Sequence, residues 1–499
     1  MSALQRAISR PDPVHEFGAR SPLDGLDRRS VGFADVLAQS VSAVAPTAAA
    51  TTVVLLVAGV SAPVTVVSIV VAAILSLFVA RTVSQFARRF AAAGSLYTYA
   101  ARGLGPRTGL AAGAAIVVGY GAIAMFALLG GAYYTTFLLG AVWPGMRGPG
   151  TTAAVLVTEA ALLVLVLVRG IRLSARVALL VEGVSVLVIV ALLAVLLVRI
   201  GPIDLGVLLP VGDWSPLGVA AGSVIAITAF VGFESAATLG VEARSPLRTV
   251  PRAVAWTVVL SGGLYVLAAI TQVAGFSAIG ESLAGSESPV NELAAAFGLG
   301  GWGVLADFGI AASFLACAIG STTALSRVLF TMGRDGVLPP LAGRTHARFG
   351  TPVGAIGLSL PLVVLVPLAL VLLGVDLRAA MHLTIVVGGA GYIVAYILVS
   401  VAAPVFLRRI GELTAGAAVV AVVSAVALSA ALVAFFVVDA GTGSPAGWIA
   451  LAVAAAATAL IAGSRRWRGA TLARIGSYDV PVASQVLGGV ARRGGNPDA

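Results

Sequence analysis

The chain contains no lysine; all 31 of its basic residues are arginine. That removes the Gly-Lys phosphate-binding loop from consideration. Cysteine occurs once, as Cys317, so a disulfide framework within the chain is excluded. Histidine occurs three times, as His15, His346 and His382, without the spacing of a metal-ligand set, and no metal site is expected. Charge is scarce: 10% of the 499 residues are charged, where a soluble domain carries about 25%. What fills the chain instead is apolar, 59% of residues by composition, with a mean hydropathy of +1.04. The Ala, Gly, Val and Arg richness without lysine fits a GC-rich coding sequence, because lysine codons are A-rich.

A membrane helix needs roughly 20 apolar residues, and the sequence offers about twelve such runs. The runs are continuous rather than alternating, which excludes a membrane β-barrel. The fold class read from this pattern is all-α and polytopic. Spans are predicted near 33–60, 63–83, 109–139, 151–168, 177–200, 217–240, 253–276, 301–325, 353–373, 382–406, 413–438 and 447–463. Residues 1–32 are polar and hold no apolar signal core, so no cleavable signal peptide is expected. The run from about Phe33 is expected to act as an uncleaved insertion signal.

Twelve spans put both termini on one side. With that side inside, 28 arginines fall on inner segments and only Arg147, Arg199 and Arg378 fall outside. Cytoplasmic termini in a cytoplasmic membrane follow from the positive-inside rule. The net charge of +10 is then a topology signal, and no nucleic-acid partner is needed. The tail 464–499 is Arg-containing and Gly-rich at its end, and is expected to be cytoplasmic and flexible. The longest inner loop, about 326–351, is too short for a soluble catalytic domain.

Two spans are unsuited to a straight helix. The first holds "SVSAVAPTAAATT" with Pro46, and the sixth holds "TAFVGFESAATLG" with Gly232 and Glu234. They lie five spans apart. Matched interruptions suggest an inverted repeat with a binding site at the breaks. The alternative is a Pro kink in one span and a Gly packing site in the other.

Four stretches resemble the amino acid–polyamine–organocation transporter superfamily, in its amino acid permease branch. They are "ADVLAQSVSAVAPTAAATT" in the first span, "RRFAAAGSLYTYAARGLGP" before the third, "FVGFESAATLGVEARSPLRTVPRA" from the sixth, and "ALSRVLFTMGRDGVLPPLAGRTHARFGTP" after the eighth. The resemblance covers about residues 33–410. It implies a leucine-transporter-like core of five plus five inverted spans, 33–200 and 217–406, with two added spans in 411–463 and a polar lead, 1–32. It also implies alternating access for a substrate carrying an amino group and usually a carboxylate.

A broken helix exposes N–H groups at one half-helix start and C=O groups at the other half's end. The first suits a carboxylate and the second an ammonium group. Ala45, Pro46, Thr47 and Ala48 on the first break, and Phe230, Val231 and Gly232 on the second, are therefore the candidate substrate site. Where relatives carry an aromatic lid, this chain has Thr228; either Phe230 serves instead or the pocket is larger and more polar. By resemblance, Glu234 sits just past the second break and assists proton-linked gating; the alternative is a protonated carboxyl bonded to freed carbonyls.

Some relatives carry a helix 5 lysine facing the first break. Here Ser185 aligns with it, so that route is closed. Glu182 lies three residues earlier on nearly the same face, and an intramembrane carboxylate is a functional candidate by default. The alternative for Glu182 is a protonated tie between helices. A further option is sodium, held by helix 1 carbonyls and a helix 8 hydroxyl such as Ser313. Arg244, Arg248 and Arg252 after the sixth span and Arg327 after the eighth are read first as topology markers; the alternative is an inner gate network with Glu242 or Asp335. Tyr97 and Tyr99 are read as interface anchors, with gate aromatics as the alternative.

The function expected is secondary active transport of amino acids, with proton-coupled uptake foremost. An exchanger or exporter of polyamines or other amines is the alternative, drawing on Glu159, Glu182, Glu234 and Asp307. A membrane enzyme would need convergent nucleophile, base or metal groups, and none is legible. No cofactor is expected. The expected partners are a small amino acid or amine, a proton or sodium, and the lipid bilayer, with the chain as monomer or homodimer.

Overall fold

A computed structural model describes residues 21–61, 64–203, 205–208, 215–286, 288–441, 443, 445–463 and 469–480. The start of the polar lead, including His15, and the outer tail arginines lie outside the described residues.

The first apolar run divides into α1 (Phe33–Val44) and α2 (Pro46–Ser61). Then come α3 (Thr65–Ala87), a short α4 (Leu96–Leu104), the long α5 (Pro106–Val142), α6 (Pro149–Arg169) and α7 (Ile171–Ile200). The second series begins with α8 (Pro216–Ile227), which stops mid-run, followed by a 3₁₀ segment, Phe233–Leu239. It continues with α9 (Pro246–Ile279), a short α10 (Pro289–Ala296), α11 (Gly300–Arg334), α12 (Val353–Leu372) and α13 (Leu377–Arg409). Two more helices follow, α14 (Ala415–Gly441) and α15 (Ala446–Gly463).

Among the described residues, ten helices are long and apolar enough to cross a membrane, with α1 and α2 together counted as one. Pro216–Ile227 and Ala446–Ala457 are apolar but shorter, where the sixth and twelfth spans were expected. Several helices run past their expected ends. The helix α11 continues to Arg334, so the presumed loop after the eighth span begins only at Asp335.

The helix α5 packs between α11 and α13 and forms the centre of the bundle. Lipid-like surroundings give no hydrophobic drive for one helix to meet another, so close approach relies on small residues. At Gly391 of α13 an added Cβ would meet the Ala115 carbonyl oxygen at 2.6 Å and the Gly119 amide at 2.8 Å. Only a hydrogen fits there. Tyr392 then lies against Gly119, and Tyr120 meets Tyr392 edge-on at 5.3 Å.

The loop before α5 contradicts one expectation. Tyr97 and Tyr99 lie on α4 and are fully buried. Tyr97 donates to Asp335 at 2.7 Å, and Tyr99 stacks on Phe86 at 5.2 Å. They are core side chains, not interface anchors, because α4 folds back under the bundle. The tail also departs from its reading: residues 469–480 are packed against the arginine-rich end, with Asp479 buried.

Candidate functional site

At the first break, Ala45 adopts φ 50°, ψ 62°, a left-handed conformation that costs a non-glycine residue roughly 1–2 kcal/mol. Pro46 explains why it is there: proline has no N–H to continue α1, but suits the first position of a new helix. The Ala45 amide closes α1 on the Val41 and Ser42 carbonyls. The Ala43 carbonyl accepts from the Cys317 thiol at 3.4 Å.

The start of α2 is not left open. The Thr47 amide donates to Glu182 Oε1 at 3.1 Å, and the Ala48 amide donates to Ser313 Oγ at 3.3 Å. Pro46 has no donor, and the Ala49 amide reaches the Ala45 carbonyl at 2.9 Å. A carboxylate of the protein thus occupies the N–H end expected for a substrate carboxylate. Glu182 is 2% exposed, reaching from α7. Ser185, one turn on, turns its hydroxyl to its own Val181 carbonyl at 2.8 Å and packs beside Gly309.

The second break is wider. From Thr228 to Phe230 the chain tightens into three-residue turns onto Ile225, Ala226 and Ile227. Gly232 then takes φ 104°, which explains the glycine: an added Cβ would meet the Ala43 carbonyl oxygen at 2.8 Å and its carbon at 3.0 Å. The two breaks therefore touch, backbone to backbone. The Ala229 carbonyl accepts from the Tyr265 hydroxyl at 2.8 Å. Among the described residues, the carbonyls of Thr228, Phe230 and Val231 accept no hydrogen bond from the protein.

A small cavity lies at this junction. Ala45, Ala48, Thr228 and Val231 line it, together with Phe126, Phe314, Cys317 and Ile385. Phe230 does not. Its ring packs on Tyr265 at 5.0 Å and beside Gly262, so it is no lid over the cavity. The pocket is also neither large nor markedly polar. Phe126 of α5 and Phe314 of α11 supply the aromatic wall of this cavity, 5.5 Å apart and edge-on. Nothing in the sequence marked those two among the other apolar residues.

A second cavity of about 120 Å³ shares Thr52, Phe126 and Ile385 with the first, and reaches Arg378 and His382. The site therefore continues toward the arginine-poor end. The opposite end is closed in layers. Ser40 donates to the Phe233 carbonyl, Ser235 to the Gln39 carbonyl at 3.3 Å, and Gln39 to the Gly320 carbonyl at 2.8 Å. Glu234 accepts from Tyr120 at 2.7 Å and from Tyr396, rather than meeting freed carbonyls. Deeper still, Arg327 grips Glu242 through Nε at 2.6 Å and a second nitrogen at 2.8 Å, both side chains buried. Asp335 does not join that pair. It accepts from Tyr97 and from the Gly476 amide at 2.8 Å. Burial pushes its carboxyl above the ordinary aspartate range, opposed by the donors of Ser477, Tyr97 and Gly476.

The remaining acidic candidates do not line the cavity. Glu159 lies against Gly131 between α6 and α5. Asp307 accepts from Ser288 at 3.0 Å and from Asn291, tying α10 to α11.

The sequence profile of the amino acid permease family matches residues 35–467. An uncharacterized transporter of Mycobacterium tuberculosis is 29% identical over 293 residues, 57% of this chain and 61% of that one. The branched-chain amino acid permease BcaP of Bacillus subtilis is 26% identical over 303 residues, 57% of this chain and 63% of that one. The chain thus matches about three-fifths of the length of these curated relatives. Two solved structures share the fold. MhsT in complex with L-phenylalanine is 16% identical with a TM-score of 0.55, over 82% of this chain and 99% of that one. The Eremococcus coleocola manganese transporter is 14% identical with a TM-score of 0.56, over 91% of this chain and 99% of that one. The fold is the leucine-transporter type, and the chain is a multi-pass membrane protein that belongs to the amino acid permease family.

Proposed function

We propose that the protein is a secondary active transporter that takes up amino acids across the cytoplasmic membrane by alternating access, with protons. Its arginine-rich end faces the cytoplasm, on the 28-to-3 split of arginines. Residues 33–200 and 217–406 are the two repeats, and α14 and α15 are additions. The observation that carries the reading is the pairing of Glu182 with the Thr47 amide at the first break.

The argument is one of competition. A substrate α-carboxylate and the Glu182 carboxylate suit the same helix N-terminus. Both cannot hold it while charged. Uptake of a proton by Glu182 releases the Thr47 amide to the substrate. The magnitudes allow this: a favourable helix-end interaction stabilises a carboxylate by up to about 2 kcal/mol. Its placement at mid-membrane costs about 2.5–3.5 kcal/mol. Terms this close let a substrate tip the balance. The substrate ammonium then meets the carbonyls of Thr228 and Val231, which line the cavity. Unpaired backbone at this depth is tolerated where it faces a cavity.

The apolar wall of Phe126, Phe314, Val53 and Ile385 supports an apolar side chain on the substrate, in keeping with the L-phenylalanine bound to MhsT and the branched-chain amino acids for which BcaP is named. A polyamine would call for free acidic groups in the pocket, and Glu159, Glu234 and Asp307 are placed elsewhere. Sodium would need Ser313, whose hydroxyl serves the Ala48 amide. The reading is tested by a thermal-shift and counterflow screen in proteoliposomes. Leucine, valine, isoleucine or phenylalanine should stabilise the protein and exchange. Stabilisation by putrescine or spermidine alone would overturn it.

A further inference from the structure

The last described segment of the chain returns to the arginine-rich end. After a short helix, Gly469–Arg474, residues 475–480 run across the closed inner face. They are bolted down on two sides. On one side lie the end of α11 and α4. Asp335 accepts from the Gly476 amide at 2.8 Å, Arg102 Nε donates to the Gly476 carbonyl at 3.0 Å, and Thr98 donates to the Ser477 carbonyl at 3.3 Å. The Arg102 guanidinium also lies over the Tyr478 ring at 4.6 Å.

On the other side lie the lead into α1 and the end of the broken sixth helix. The buried Asp479 carboxylate receives Ser21 at 2.8 Å, Arg28 at 2.7 Å and Arg29 at 3.0 Å. Arg29 in turn donates to the carbonyls of Gly240 at 3.2 Å and Ala243 at 3.1 Å. The backbone there is continuous: the Val31 amide reaches the Glu242 carbonyl and the Arg244 amide reaches the Val31 carbonyl. So residues 28–31 and 240–244 form one unit, and Asp479 is its link to the tail. Gly476 fits only as glycine, at φ 85° against Ala101.

These two units must part if the cavity is to open at this end. The Arg327–Glu242 pair, the Arg334 bond to the Asp24 carbonyl and the Ser95 bond to the Glu234 carbonyl hold them directly, and the tail bridges them again from outside. Each anchor is a buried carboxyl group. Asp335 and Asp479 each accept from several groups, so release of the tail must break a set of buried hydrogen bonds. We propose that residues 475–480 form a releasable clasp that holds the cytoplasmic end shut and limits how often it opens. The orientation rests on the function proposed above; the clasp itself rests on these contacts.

The test uses an opening readout that needs no substrate. Ser235→Cys places a thiol beneath the breaks, in the closed layers. Its labelling by an impermeant maleimide is followed in inside-out vesicles by mass spectrometry of the peptide carrying residue 235, which separates it from Cys317 and from the cross-linking thiols. Three backgrounds are compared: full chain, a chain ending at Arg468, and a chain with Thr98→Cys and Ser477→Cys joined by a short reversible cross-linker. Removal of the clasp should raise the labelling rate roughly fivefold or more, the range of a modest coupling energy. Cross-linking should suppress labelling, and reduction should restore it. Equal rates in the full and shortened chains, or full labelling while cross-linked, would overturn the clasp. Where the shortened chain does not fold, the cross-linked protein decides alone. Leucine uptake is run alongside. Labelling that changes as described while no amino acid is transported counts against the function reading and leaves the clasp standing.

Discussion

The two helix breaks solve one problem in opposite ways. At the first, a single left-handed residue, Ala45, ends α1, and the protein caps the new helix itself through Glu182 and Ser313. At the second, five residues separate α8 from the next turn, and three carbonyls keep no donor from the protein among the described residues. Among the described residues, the protein thus caps the first break itself and leaves acceptors open at the second. This asymmetry suits the proton-coupled carrier of zwitterions proposed above, which would need a negative group that can step aside at one end and acceptors free at the other.

The largest effect should come from joining the breaks badly. Gly232→Ala places a Cβ against the Ala43 carbonyl at a positive φ, a strain of roughly 1–2 kcal/mol before any clash. Substrate affinity should fall at least tenfold in a binding assay on well-expressed protein. Normal binding by this variant would mean that the breaks need not touch.

Next comes Glu182→Ala, which leaves the buried Thr47 amide unpaired. An orphaned donor costs about 1–3 kcal/mol, so the melting temperature of the ligand-free protein should drop by several degrees. Glu182→Gln keeps an acceptor and should lose less than half as much. Equal losses would show that the Thr47 contact is not what holds α2.

Tyr265→Phe probes the second break. It strips the Ala229 carbonyl of its donor, worth about 0.5–1.5 kcal/mol, and its stability loss should be smaller than that of Glu182→Ala. The smallest effect is expected from Thr47→Ala. The Thr47 hydroxyl makes no hydrogen bond of normal geometry, though it lies beside the Glu182 carboxyl, so ligand-free stability should fall by no more than about 0.5 kcal/mol while substrate affinity falls two- to threefold, roughly the worth of a weak hydrogen bond. A large loss of stability there would assign the hydroxyl a structural contact.

How much of this was written in the sequence differs between the breaks. Long apolar runs and the positions of Pro46 and Gly232 fixed where the helices fail, because proline lacks a donor and glycine alone tolerates that φ. Glu182 stood out by type, a carboxylate in an apolar span. Its contact with Thr47 was not legible, since it depends on how α7 is rotated against α2. Phe126 and Phe314 were missed for the same reason: in a helix apolar all round, no periodicity says which face meets the cavity. The tail was misread because its docking uses backbone amides, a glycine and charges. Their partners lie hundreds of residues earlier, as with Asp479 and Arg28.

The central claim is that Glu182 yields its place to the substrate by taking a proton. The most direct measurement compares wild type and Glu182→Gln in proteoliposomes, following leucine accumulation driven by a pH gradient and leucine exchange without one. A permanently neutral side chain should abolish pH-driven accumulation while exchange continues at a comparable rate. Unchanged pH-driven accumulation in Glu182→Gln would contradict the account.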